Sequence, residues 1–119
     1  LRGAPLQSLW LNGTPVSDLL PLAGCPLVSL TLEGTKVADL KPLSKMTILK
    51  RLHIGQTPVS DLTPLRHLKL ERLVFTPGNI KKGLDDVRNM ITITEIGTTL
   101  EMLMPANDFW SRLDQRNRK

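Results

Sequence analysis

Apolar residues recur along this chain at a fixed spacing. The pattern LxxLxLxxTxVxDLxPL begins at Leu6 and Leu27 and recurs from Leu49 with Ile54 in place of its third leucine, so successive copies are offset by 21 and 22 residues. A fourth, altered copy begins at Leu70. Because eight of the nine positions are identical in all three complete copies and the ninth is leucine or isoleucine, the chain consists of tandem repeats of one small unit.

Each unit is predicted to contain one strand, one turn and one short helical segment. The LxL part alternates apolar and polar residues, which is typical of a strand with one buried face. An aspartate precedes each Leu-x-Pro-Leu segment, where it is expected to be the N-cap of a helix with proline in its first turn. These aspartates are Asp18, Asp39 and Asp61.

A threonine follows each strand and its turn, and we expect its hydroxyl group to be buried and bonded to a neighbouring carbonyl group. The threonines are Thr14, Thr35 and Thr57, and the fourth unit has Asn79 instead. No unit is large enough to bury its own leucines. The units must therefore stack into a solenoid whose strands form a parallel sheet.

The pattern changes after Ile80. Leu84, Val87 and Met90 have helical spacing, which predicts a longer helix behind the fourth strand, and a last strand is expected from Ile91 to Gly97. A final helix is predicted to begin at Asn107 or Asp108 and to carry apolar side chains that cover the end of the core. Those side chains are Phe109, Trp110 and Leu113.

The repeat unit resembles the leucine-rich repeat, in the short class of bacterial internalin-like proteins. The closing TPxNIxKGLDxxRxM segment, an I-G strand end and a PAxxFWxRxD stretch are similar to repeat regions of planctomycete proteins, several of which carry an upstream protein kinase domain. The matching residues are Thr76, Pro77, Asn79, Ile80, Lys82, Gly83, Leu84, Asp85, Arg88, Met90, Ile96, Gly97, Pro105, Ala106, Phe109, Trp110, Arg112 and Asp114.

This resemblance implies a single α/β solenoid domain over residues 1–119, with a modified last unit and cap from about 81 to 119. It implies a right-handed superhelix with a parallel sheet on the concave face. Short helical or 3-10 segments would lie on the convex side, and a helical cap would close the C-terminal end. The chain begins with Leu1 rather than methionine, so we expect it to be part of a longer protein.

Residues suited to catalysis are scarce. His53 is expected on a strand with its ring facing solvent, His67 lies in a connection, and neither accompanies a nucleophile or carboxylate motif. The single Cys25 excludes an internal disulfide and fits a reducing compartment, which favours the cytoplasm. We expect no enzyme activity, cofactor or metal site, and no run of apolar residues is long enough for a membrane span.

The alternation of the strands leaves columns of side chains on their outer face, and these are the candidate binding residues. Such columns form a broad, rigid surface that suits a protein partner, and tryptophan and arginine often dominate binding energy. The ring of Trp10 has a second interpretation, as a cover for the edge of the first unit. The candidates are Trp10, Asn12, Thr31, Glu33, Arg51, His53, Arg72 and Val74.

The net charge of +5 is uneven: it divides into +1 for residues 1–48, +3 for 49–80 and +1 for 81–119. Lys50, Arg51, Lys69 and Arg72 favour an acidic protein partner. Nucleic acid is not favoured, because no aromatic residues are interleaved with these charges.

The sequence therefore favours a non-catalytic module that binds a protein partner through the concave face. The alternative is a structural spacer, or an appendage that stabilises an upstream catalytic domain such as a serine/threonine kinase. The first unit has no recognisable N-terminal cap, so we also expect self-association through its leucine edge.

Overall fold

The computed structural model describes residues 8–22 and 26–117, so Leu6 and Cys25 lie outside the described residues. Six strands form one sheet in chain order. The first five are parallel, and the sixth runs antiparallel to the fifth. They are β1 (Ser8–Trp10), β2 (Ser29–Thr31), β3 (Arg51–His53), β4 (Arg72–Val74), β5 (Glu95–Gly97) and β6 (Met104–Pro105).

Helical segments connect these strands. Five are single 3-10 turns, at Leu20–Leu22, Lys41–Leu43, Thr63–Leu65, Pro77–Asn79 and Leu100–Met102. Two are α-helices, α1 (Leu84–Arg88) and α2 (Ala106–Asn117). In the described part of the chain, neither length nor hydropathy would allow a helix to cross a bilayer.

The repeat spacing sets the register of the sheet. The central strand residues pair in the series Leu9, Leu30, Leu52, Leu73 and Ile96, with one residue from each unit. Of these, only Leu9 is partly exposed; the others are buried in a continuous apolar core. Backbone bonds also join the units just beyond the strands, since the N–H groups of residues 11, 32 and 54 donate to carbonyl groups of the following unit at 2.8–2.9 Å.

The threonines close the turn after each strand, as the sequence predicts. Their hydroxyl groups donate to the carbonyl oxygens of Leu11, Leu32 and Ile54 at 2.7–2.8 Å. These carbonyls belong to the same unit, so the bonds stabilise the turn and do not link adjacent units. Asn79 differs, because its amide donates to the carbonyl oxygen of Thr57 in the preceding unit at 3.2 Å.

The side chains of the repeat aspartates also accept hydrogen bonds from the backbone. In the second and third units, each aspartate lies one position before the N-cap. Each Oδ1 atom accepts a bond of 2.9 Å from the N–H group two residues later. In the second and third units, Leu40 and Leu62 occupy the N-cap position, so the prediction of aspartate at the N-cap is wrong there. The backbone and hydroxyl groups of Thr63 hold the pKa of Asp61 below its usual value.

The region after the fourth strand differs from the prediction in four respects. The helix α1 contains only five residues, and Ile91 is 96% exposed and lies before β5. The helix α2 begins at Ala106, so Asn107 and Asp108 lie in its first turn and do not cap it. The antiparallel strand β6 was not predicted, because its two residues show no alternation.

Helix α2 joins the core through aromatic side chains. The ring of Phe75 is fully buried, and its centroid lies 5.7 Å from the centroid of the Phe109 ring and 6.5 Å from that of the Trp110 ring. The guanidinium group of Arg88 lies 5.3 Å from the Trp110 ring and forms an ion pair with Asp114. These contacts fix α2 against the fourth unit and α1.

A left-handed conformation recurs at the residue before each threonine of the repeat. Gly13 and Gly34 have φ values of +70° and +72°, and Gln56 occupies the same position in the third unit with φ of 55°. A side chain is disfavoured in this conformation by roughly 1–2 kcal/mol. The N–H group of Gln56 donates to the hydroxyl group of Thr76 at 2.9 Å, which stabilises the turn.

Gly83 marks the start of α1, and its conformation is also left-handed, with φ of +86°. A Cβ atom on this residue would lie 2.4 Å from the backbone nitrogen of Thr63 in the preceding unit. The backbones of the two units therefore approach too closely for any side chain at this position.

We predict that Gly83→Ala lowers the free energy of unfolding by about 2–5 kcal/mol, because a left-handed conformation and a steric overlap both add a cost. The matched control is Gly78→Ala, since a Cβ atom there would have no atom within 4 Å. Urea denaturation should show a change within about 0.5 kcal/mol for this control. Equal stability of the two variants would contradict the close approach at Gly83.

Candidate functional site on the strand face

The outward side chains of β1 to β5 form two columns, which we call the strand face. The pairing register defines both. The first column contains Ser8, Ser29, Arg51, Arg72 and Glu95. The second column contains Trp10, Thr31, His53, Val74 and Gly97. Parallel strands at a spacing of roughly 4.8 Å bring the members of a column into contact.

The second column is mostly buried. Thr31, His53 and Val74 are only 6%, 4% and 1% exposed, so the expectation that these residues face solvent is wrong. They line a depression of about 170 Å³ that is also bordered by Leu100, from the segment after β5. Trp10 is the exception in this column, because 66% of its surface is exposed.

The ring of His53 is held within this column by a backbone hydrogen bond. Its Nδ1 atom accepts a bond of 3.1 Å from the N–H group of Gly55, so the proton of the neutral ring is on Nε2. The Nε2 atom lies 3.9 Å from a carboxylate oxygen of Glu33. Burial lowers the pKa of His53, and the carboxylate of Glu33 partly opposes this effect. A Cβ atom on Gly55 would lie 2.8 Å from the imidazole ring, so the turn and the ring fit each other closely.

Arginine side chains dominate the first column, but they differ in their availability. Arg72 donates from Nε and Nη2 to one oxygen of Glu95, at 3.1 and 2.9 Å. Lys50, beside this column, pairs with Glu71 at 3.3 Å. Within the described ranges, Arg51 and Lys69 are exposed and form no ion pair. Two of the four basic residues expected to attract an acidic partner are therefore already paired within the chain.

The structure brings six of the eight candidate residues to one depression. They are Trp10, Thr31, Arg51, His53, Arg72 and Val74. The other two, Asn12 and Glu33, lie in the turns after β1 and β2. Glu95 and Leu100 also belong to this surface, and the sequence analysis missed both. Extending the repeat register to the fifth strand would have placed Glu95 beside Arg72.

This surface combines aromatic, cationic and apolar groups. It offers an exposed indole ring at Trp10, an exposed guanidinium group at Arg51, and Leu100 at the border. One nitrogen of His53 is already bonded to the backbone. No group of three or more histidine, cysteine, aspartate or glutamate side chains within residues 8–22 and 26–117 is arranged to hold a metal ion.

Solved structures show which fold this arrangement shares. The chain is similar to internalin C2 of Listeria monocytogenes, with 31% identity and a TM-score of 0.66 over 73% of this chain. It is also similar to internalin F of the same organism, with 27% identity and a TM-score of 0.68 over 77% of this chain. It spans 39% and 28% of the lengths of those two chains. A scan of protein-family models and a search of curated proteins found no match.

These similarities, together with the parallel strands, confirm an internalin-like leucine-rich repeat solenoid. The repeat pattern in the sequence predicts this fold. The two similar chains are longer than this one, so the likeness applies to the repeat fold.

We predict that His53 makes stability depend on pH. Its pKa is lowered in the folded state, so the unfolded chain binds more protons below about pH 6.5. The contribution of His53 to the free energy of unfolding is then fully present above that pH, and it decreases as the pH falls towards the pKa of the folded state. The slope is expected to reach up to about 1.4 kcal/mol per pH unit.

Urea denaturation between pH 7.5 and pH 5 should show this slope in the natural chain and not in His53→Asn, whose amide oxygen can still accept the bond from Gly55. The matched control replaces the other histidine, His67→Asn, which is exposed and lies outside the strand face. An unchanged slope in His53→Asn would contradict the assignment.

Proposed function

We propose that this chain is a non-catalytic protein-interaction module that binds a protein partner through the strand face. The observation that carries this proposal is the exposure of Trp10 at one end of a column that is otherwise buried. A large, rigid aromatic ring beside an exposed arginine is typical of residues that dominate binding energy. The strands already fix this surface, so binding would cost little ordering free energy.

The finer architecture is part of the same proposal. The strand face is the concave face of a right-handed superhelix, and the 3-10 segments lie on its convex side. Helix α2 is the C-terminal cap, a role supported by its aromatic contacts with the buried ring of Phe75. In this proposal the module is the C-terminal part of a longer protein, and the resemblance to planctomycete repeat regions, several of which follow a protein kinase domain, favours an upstream catalytic domain.

The partner is expected to be acidic where it meets the first column. Arg51 is exposed and forms no ion pair with the described residues, so its guanidinium group can bind a carboxylate. Arg72 contributes less, because its charge is already balanced by Glu95. The surface favours a partner that places an apolar group on Trp10 and a carboxylate on Arg51.

The test requires a partner isolated from the native host by cross-linking to the natural chain. Affinity for it should fall by about 30-fold or more in the double variant Trp10→Ala/Arg51→Glu, since both residues belong to the types that form hot spots. The control is Arg66→Glu, which reverses an exposed charge in the connection after the third 3-10 segment. It should leave the affinity measured by calorimetry unchanged.

The alternative function is that of a structural spacer, or of an appendage that stabilises an upstream catalytic domain. The solenoid is elongated, with extents of 51 × 27 × 25 Å, which suits a spacer. A spacer would capture the same proteins whether or not the strand face is altered. Unchanged binding by the double variant would therefore reject the strand-face proposal and favour this alternative.

We also propose self-association through the first unit. Leu9 and Leu11 are only partly buried, whereas the equivalent Leu30 and Leu32 in the second unit are fully buried. Two copies that pair their β1 edges would bury this apolar surface.

Sedimentation velocity should show a mass that rises above that of one chain as concentration increases. Ser8→Lys places a charge on the exposed β1 edge and should shift the equilibrium towards monomer, since charged residues discourage pairing between edges. The control is Ser111→Lys on an exposed position of α2. A natural chain that is monomeric at every concentration would refute association.

A further inference from the structure

A second depression lies beside α2. Its volume is about 410 Å³, within the range of roughly 300–1,000 Å³ that is usual for small-molecule sites. Its apolar wall contains Pro77, Met102, Met104, Phe109 and Leu113. Three elements contribute to it: the 3-10 turn after β4, the segment between β5 and the end of β6, and α2.

The backbone holds the two methionines in place. A Cβ atom on Gly97 would lie 2.7 Å from the carbonyl oxygen of Met102, so the segment after β5 folds back closely against that strand. The hydroxyl oxygen of Thr99 accepts a bond of 3.2 Å from the N–H group of Met102. Met104 then pairs with Ile96 through β6. The side chains of both methionines can adapt to the shape of a ligand, because methionine has no branch and three rotatable bonds.

Arg112 supplies the charge of this cavity. It is the one charged residue in the lining, where Thr98 and Gln115 provide further polar groups. In the described part of the chain, Arg112 forms no ion pair, whereas Arg88 is engaged with Asp114. A guanidinium group binds a carboxylate through two parallel hydrogen bonds, which suits an anionic ligand at the edge of an apolar wall.

We propose that this cavity binds a small amphipathic carboxylate. The apolar body of the ligand packs against Met102, Met104 and Leu113, and its carboxylate pairs with Arg112. This site does not depend on the proposed function of the strand face, because the two surfaces share no residue.

The test uses sodium octanoate as the probe, with octanol and octylammonium as matched probes of neutral and positive charge. The chain is labelled with carbon-13 at the methyl groups of methionine, and each probe is titrated below the concentration at which it forms micelles. Octanoate should shift the signals of Met102 and Met104, while the signal of Met46, buried in the core, stays in place.

The variant Arg112→Gln should weaken octanoate binding by about two- to fivefold, the effect expected of an exposed ion pair, and leave octanol binding unchanged. Arg66→Gln, at an exposed position outside the cavity, is the control and should bind octanoate like the natural chain. An unshifted Met46 signal in every variant shows that the core is intact.

Three results would overturn the proposal. Met102 and Met104 signals that do not respond to octanoate would exclude the site. An equal affinity for octylammonium would exclude recognition of the carboxylate, and so would an Arg112→Gln variant that binds octanoate as tightly as the natural chain.

Discussion

The structure depends on one constraint, which is that no single unit can bury its own leucines. Leu30, Leu52 and Leu73 are removed from water only because the units on either side lie directly against them. The spacing of the units must therefore match the spacing of the strands, and the backbone bonds from each unit to the next maintain that match. The hydroxyl of each repeat threonine allows the turn to close within the unit.

The same register determines the surface. Residues that follow the buried leucines by one position line up on the opposite side of the sheet, and this places Thr31, His53 and Val74 in one column. The side chains of this column are buried in a depression that Leu100, from the segment after β5, also borders. The part of the strand face that a partner can reach is therefore narrower than the alternation alone suggests, and it is concentrated at Trp10 and Arg51.

Sequence reasoning predicted most of what depends on the regular repeat, although it was wrong about the aspartates as N-caps and about the exposure of Thr31 and His53. It predicted the four parallel strands, the buried leucines and the role of the threonines, because these depend on spacing alone. It failed where contacts come from segments outside the repeat. The burial of Val74 and the pairing of Arg72 depend on the fifth strand and the segment after it, and the position of Ile91 depends on the short length of α1. The Arg72–Glu95 pair follows from the register once it is extended to the fifth strand, whereas the other contacts join residues that share no pattern.

The short strand β6 has a consequence for assembly. Stacked units can in principle continue from one molecule into the next, as a parallel sheet that extends into a fibre. At this edge the outermost strand has only two residues, and one of them is Pro105, which has no N–H group to donate. The β6 edge therefore offers few backbone groups to a strand of another chain, so we expect sheet extension to be disfavoured at this end of the described structure.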